Sequence, residues 1–209
     1  MAFYDPFVER LQAFKMLTPA ELKKLAGAKL SDVVLQEIAR SRTRVAELEK
    51  RFPSAAPKEL AQHLIEGKKA LASMAGGVSG VFGLISVPAD MVFMAWLQII
   101  LLVDVATLYK VNLKSERSRG ELLDLLGYAN GLGPLQRSSP KVLGSLAARL
   151  LAKGGLPTLG RAMPLVAAPI TAYLNNQHIQ AVGDQALRFY EGFDKAHAKA
   201  RGSRQKKTG

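Results

Sequence analysis

Two acids stand where a solvated surface does not explain them. Asp90 and Asp104 bracket a dense apolar run, Met91–Val103, that only Gln98 interrupts. At about 100° per residue, a helix brings the two acids within about 40° of each other, flanking a stripe through Met94, Leu97 and Leu101. A carboxylate in such a place needs a helix start, a cation or water. Asp90 has a helix start. Ser86 suits an N-cap, Pro88 a first turn, and an acid is favourable at the positive end of the helix dipole. Asp104 has no such role nearby, so a buried polar site is expected there, with Arg161 or Lys153 from a later apolar region as its cation. Asn175 is a further candidate buried polar group.

The other chemically suggestive patterns resolve into structural ones. Glu59, His63 and Glu66 share a helix face, but no further ligands converge nearby in sequence, so a solvated face is expected rather than a metal site. Gly76, Gly77, Gly80 and Gly83 lie in an uncharged stretch with no strand before it, which is the wrong setting for a phosphate loop. Gly67-Lys68-Lys69 lacks both the upstream glycine and the Ser or Thr of a nucleotide-binding loop. Small residues at this spacing suit close contact between helices. Ser79 lies in Gly77-Val78-Ser79-Gly80, which is not a nucleophile elbow. No catalytic residue, cofactor or metal site is expected, and the chain is read as a non-enzyme.

The elements that carry these residues are helical. Thr18-Pro19-Ala20-Glu21 and Ser31-Asp32 are helix starts. The second leads a helix to about Arg51, with Val34, Ile38, Val45 and Leu48 on one side and Arg40, Arg42, Arg44, Glu47, Glu49 and Lys50 on the exposed side. Another helix begins after Pro57. Two helices meet near Ser86–Asp90, so that Pro88 and Asp90 mark a hairpin turn. A short helix is expected over Glu121–Tyr128, an apolar segment over Ala162–Leu174 and a final amphipathic helix from about Asn176 to His197. No segment alternates as a strand would. The expected fold is an all-α helical bundle around a Gly-rich apolar hairpin.

The 209 residues fit one core, and the absence of cysteine excludes disulfides and thiolate chemistry. Met1–Pro6 has neither the basic nor the apolar region of a secretory leader. A formal charge of +12 implies a polyanionic partner. Nucleic acid is disfavoured, because no recognition motif or stacking aromatics accompany the charge. The basic residues are read as concentrated in the N-terminal helices and the tail, where Lys199, Arg201, Arg204, Lys206 and Lys207 follow the last acid, Asp194. Lys68-Lys69 and Lys110/Lys114 flank the hairpin at its outer ends, as for a loop facing an anionic leaflet. Immersing Asp104 in lipid would cost roughly 2.5–3.5 kcal/mol, so a core hairpin is the default and membrane insertion the alternative.

The segment Gly76-Gly77-Val78-Ser79-Gly80-Val81-Phe82-Gly83, then Pro88-Ala89-Asp90 and an apolar helix ending at Tyr109, resembles the EcsC protein family. Met163-Pro164-Leu165-Val166-Ala167-Ala168, Tyr173-Leu174-Asn175 and Val182-Gly183-Asp184-Gln185-Ala186 are similar to its later signature. The family's tyrosine is usually followed by glycine, where this chain has Lys110, and Ala167 and Ala168 stand where the family usually carries glycine. The resemblance implies a bacterial helical protein, of a family named for a product encoded beside the subunits of an ABC transporter, with no established reaction or cofactor. The expected layout is polar helices over 1–57, an EcsC-like domain over 58–197 and a basic tail over 198–209. The expected role is an accessory protein at the cytoplasmic face of the inner membrane, binding anionic lipid or a membrane partner such as a transporter component. A soluble adaptor for an acidic protein is the alternative.

Overall fold

The computed structural model describes residues 30–82, 87–131, 133–134 and 173–192, with side chains over 34–73, 93–131, 133–134 and 173–192. These residues are all α, with no strand among them: α1 (Leu30–Arg51), α2 (Pro57–Phe82), α3 (Val87–Leu108), α4 (Glu116–Ala129) and α5 (173–192).

On α1, Val34, Ile38, Ser41, Val45 and Leu48 recur alternately four and three residues apart, and all five are buried. That spacing keeps one narrow seam facing a partner helix. The partner is α3, against which α1 packs. Residues 30–51 therefore share one core with the helices that follow, although the sequence reading sets 1–57 apart as polar helices. Beyond Arg51, Pro53 cannot continue the helix. α2 restarts with Pro57 in its first turn, while the Glu59 carboxylate accepts from the Ala56 N–H at 3.0 Å. This is the reaching-back half of a capping box. The inner face of α2 carries Leu60, Ala61, Leu64, Ile65, Leu71 and Ala72.

α3 is the central helix. Its residues Leu97, Ile99, Ile100, Leu101, Leu102, Val103, Val105 and Ala106 are fully buried, so apolar side chains are covered on every side. A helix apolar all round belongs in a core or in lipid. Here α1 and α2 pack along it and α4 contacts it as well. No helix among the described residues is long and apolar enough to cross a membrane. Pro88 and Asp90 lie in the first turn of α3. Gly76, Gly77 and Gly80 fall in the last turns of α2, whereas Gly83 and the surroundings of all four glycines lie outside the described residues.

The end of α3 explains a departure noted in the sequence. The Lys110 N–H donates to Thr107 O at 2.9 Å and the Val111 N–H to Ala106 O at 2.9 Å, which is a Schellman closure. Its left-handed position belongs to Lys110, at φ 57°. Glycine adopts that conformation without strain; an L-residue adopts it at a cost of about 1–2 kcal/mol. α4 starts at Glu116, five residues before the expected Glu121. Its polar first turns are an exposed helix end in which Arg117 pairs with Glu121 at 2.9 Å. On α5, a Cβ at Gly183 would sit 2.5 Å from Ile65 Cγ1, so the bare glycine permits the close approach of α5 to α2.

Candidate functional site

The most concentrated chemistry lies where α1, α2 and α3 meet. Asp104 is fully buried in α3 and takes a cation from each of the other two helices. Arg44 of α1 donates through Nε to Oδ1 and Oδ2 at 3.0 and 3.1 Å and through a terminal nitrogen to Oδ1 at 2.7 Å. Lys68 of α2 places Nζ 3.0 Å from Oδ2. Both terminal nitrogens of Arg44 also reach Glu37 Oε2 at 3.3 Å, and Glu37 receives Arg40 at 2.6 Å from outside. Ser41 donates to Val103 O at 3.3 Å and to Thr107 Oγ1 at 2.9 Å, and the Thr107 hydroxyl donates to Val103 O at 2.7 Å.

Glu37, Arg44, Lys68 and Asp104 sum to zero charge, the condition under which buried ions are tolerated. Burial pushes the Lys68 ammonium below its ordinary range; the neighbouring Asp104 carboxylate opposes that shift, and Arg44 adds to it. For Arg44, burial alone would lower the guanidinium, but Asp104 and Glu37 more than offset this and hold it firmly charged. The groups are enclosed and committed to one another. Their arrangement ties three helices together.

Two expectations are corrected here. Arg44, assigned to the exposed side of its helix, turns inward, because its long stem crosses the seam edge to reach Asp104. Lys68, assigned to a basic flank at the membrane, is 5% exposed and serves the same carboxylate. Lys110 and Lys114 are exposed. Arg161 and Lys153, the expected partners of Asp104, lie outside the described residues, and so do Lys199, Arg201, Arg204, Lys206 and Lys207. The inward ions had a signature in the sequence. Glu37, Ser41 and Arg44 step along the α1 seam at four and three residues, and Lys68 stands on the α2 stripe between Ile65 and Leu71.

The remaining polar groups also join helices. Asn175 is buried on α5 and donates to Ala72 O at 3.3 Å, beside a bond from Ser73 Oγ to Asn176 Oδ1 at 2.8 Å. Gln98, fully buried, accepts from Asn130 Nδ2 at 2.8 Å, while its own Nε2 has no hydrogen-bond partner among the described residues. Tyr190 stacks on Tyr109 with centroids 5.9 Å apart, and burial, aided by Glu121, pushes its hydroxyl well above the usual range. His63 stacks on Phe52 at 4.3 Å, Glu59 caps α2, and Glu66 pairs with Lys69 at 2.7 Å, so the three do not converge. No group of His, Asp and Glu among the described residues is arranged to hold a metal ion.

The family model for the EcsC protein family matches residues 10–141. The chain belongs to the EcsC protein family. The match runs through α1, α2, α3 and α4 and across residue 57. The three-helix ionic centre thus lies wholly inside the EcsC region, whereas Met163–Ala168 and Val182–Ala186 lie beyond it. No curated protein and no solved structure matches this EcsC chain.

Proposed function

We propose that this chain is a non-enzymatic accessory protein acting at the cytoplasmic face of the inner membrane, where it holds anionic lipid or a membrane partner such as a transporter component. The supporting observation is the distribution of charge. Residues 30–134 and 173–192 carry thirteen Lys and Arg against thirteen Asp and Glu. The excess of +12 therefore belongs entirely to the rest of the chain. Even α1, expected to be part of the basic surface, is nearly balanced, with five bases and four acids. Residues 135–172 hold five bases and no acid among many apolar residues, and residues 193–209 hold six bases and one acid. Basic segments rich in apolar residues have the composition of elements that lie on an anionic interface. Each such base contributes about 1 kcal/mol near the surface, fading within a Debye length.

The burial of α3 within protein favours peripheral attachment over insertion, and the same burial supports the second reading, a soluble adaptor whose basic segments meet an acidic protein. Liposome co-sedimentation separates them. The membrane reading expects binding to anionic but not neutral vesicles, weakening as salt rises and weakening further when Lys199–Gly209 is deleted. An absence of binding to anionic vesicles at low salt would sink it in favour of the adaptor.

A further inference from the structure

Apart from the ionic centre, the described surface has an open depression of about 360 Å³ where α1 passes the α3–α4 turn. Ile38 and Leu113 give it buried apolar walls, and Arg42, Lys110, Asn112 and Thr107 bring polar groups to it. Arg42 and Lys110 form no ion pair among the described residues, and no acid lines the depression. Several carbonyls near the negative end of α3 already have donors and do not consume these cations. Val103 O accepts from Thr107 and Ser41, Val105 O from the Tyr109 N–H, Ala106 O from the Val111 N–H, and Thr107 O from the Lys110 N–H. Asn112 spends its Oδ1 on the Lys114 N–H at 3.2 Å, which leaves its amide NH2 as a donor. Lys110 stands here in a left-handed backbone position that glycine would fill without strain. Strain of this kind gathers at sites that use the side chain.

We propose that this depression is a binding site for a phosphate monoester. Two uncommitted cations match a group that carries up to two negative charges near neutral pH. The guanidinium, ammonium and amide supply donors, as phosphate oxygens require. The apolar walls suit an attached carbon chain, whether that of a lipid headgroup or of a small soluble ester. The site lies in the electroneutral region and is independent of the basic segments invoked for membrane attachment.

The test is an amide NMR titration of the full chain with inorganic phosphate at a pH where the dianion predominates. Saturable shifts are expected at Lys110, Val111, Asn112 and Leu113. Arg42→Gln and Lys110→Gly should each weaken binding by about tenfold, on the scale of one lost charge-assisted contact. Lys50→Gln, two turns further along α1, should leave it unchanged. Lys110→Gly relieves backbone strain, so its loss of binding cannot be assigned to misfolding. Vesicles of phosphatidic acid and of phosphatidylglycerol, matched in charge, identify the source. A preference for phosphatidic acid that both variants abolish assigns a lipid headgroup, and phosphate binding without such a preference assigns a soluble ester. Phosphate shifts absent from this turn, or equal in both variants and the parent chain, would overturn the site. Deleting Lys199–Gly209 should weaken vesicle binding while leaving the phosphate titration intact, so the two proposals fail separately.

Discussion

Replacing Asp104 by asparagine keeps the shape of the side chain and removes the charge that two buried cations share. Arg44 loses contacts of 2.7, 3.0 and 3.1 Å to a carboxylate, and Lys68 loses one at 3.0 Å. The Arg44 side chain is 14% exposed and that of Lys68 6%, so water cannot replace the lost partner well. Removing one member of a buried ion pair costs about 3–5 kcal/mol. For a chain of this length that corresponds to a fall of about 6–20 °C in melting temperature. Urea unfolding should show the midpoint drop with an unchanged slope, the mark of lost stability rather than altered unfolded surface. Adding Lys68→Met to Asp104→Asn should restore at least half the loss, because it removes one of the two cations left facing each other. An Asp104→Asn chain within about 1 kcal/mol of the parent, or a double variant no more stable than the single one, would refute this account.

Further outcomes follow from the same geometry. Burial lowers the Lys68 pKa below its ordinary value near 10.5, so between the folded and unfolded values the unfolded chain binds the proton more tightly and stability rises with pH. Asp104→Asn removes an influence that opposes this shift and widens the window downward, so its urea-midpoint deficit should shrink from pH 7 towards 10; a deficit independent of pH would contradict the assignment. Gly183→Ala should cost about 1–3 kcal/mol by forcing a methyl onto Ile65, and Ile65→Ala should relieve much of that added penalty; urea midpoints of the two single variants and the pair check it. Lys110→Gly should raise stability by up to about 1 kcal/mol, the left-handed strain partly offset by glycine's unfolded-state freedom, and a lower urea midpoint would contradict this. On anionic vesicles, Trp96, which packs beside Phe93 at 5.9 Å on the core helix, should remain unquenched by lipid-borne quenchers; strong quenching would show that α3 leaves the core.

The helical fold was legible because its signals are local. The seam of α1, the proline start of α2, the apolar run of α3 broken only by Gln98 and the proline and acid at its first turn are each readable within a few residues. Asp104 was legible as a buried ion because its neighbours along α3 are apolar. Its partners were not, because pairing joins residues 60 and 36 positions away in sequence, and a helix face alone does not say how far a long stem will reach. Arg44 looked like one more surface charge among Arg40 and Arg42. Lys68 beside Lys69 looked like a basic flank, yet adjacent helix positions point about 100° apart, and one lysine turns into the core while the other pairs with Glu66. The resemblance carried by small residues pointed to the right family, but it located no reactive group.

The ionic centre also fixes how the helices slide. Apolar contacts along α3 discriminate poorly between neighbouring alignments, since a helix greasy on all sides finds apolar neighbours almost wherever it is shifted. A slip of α1 by one turn, about 5.4 Å, would present either Arg40 or Leu48 where Arg44 now meets Asp104. The Leu48 alignment would strand a guanidinium among aliphatic side chains, and the Arg40 alignment would draw a partly exposed arginine inward and break its contact with Glu37. α2 is held to the same point by Lys68, so one carboxylate serves as the common index mark from which the alignment of all three helices is measured.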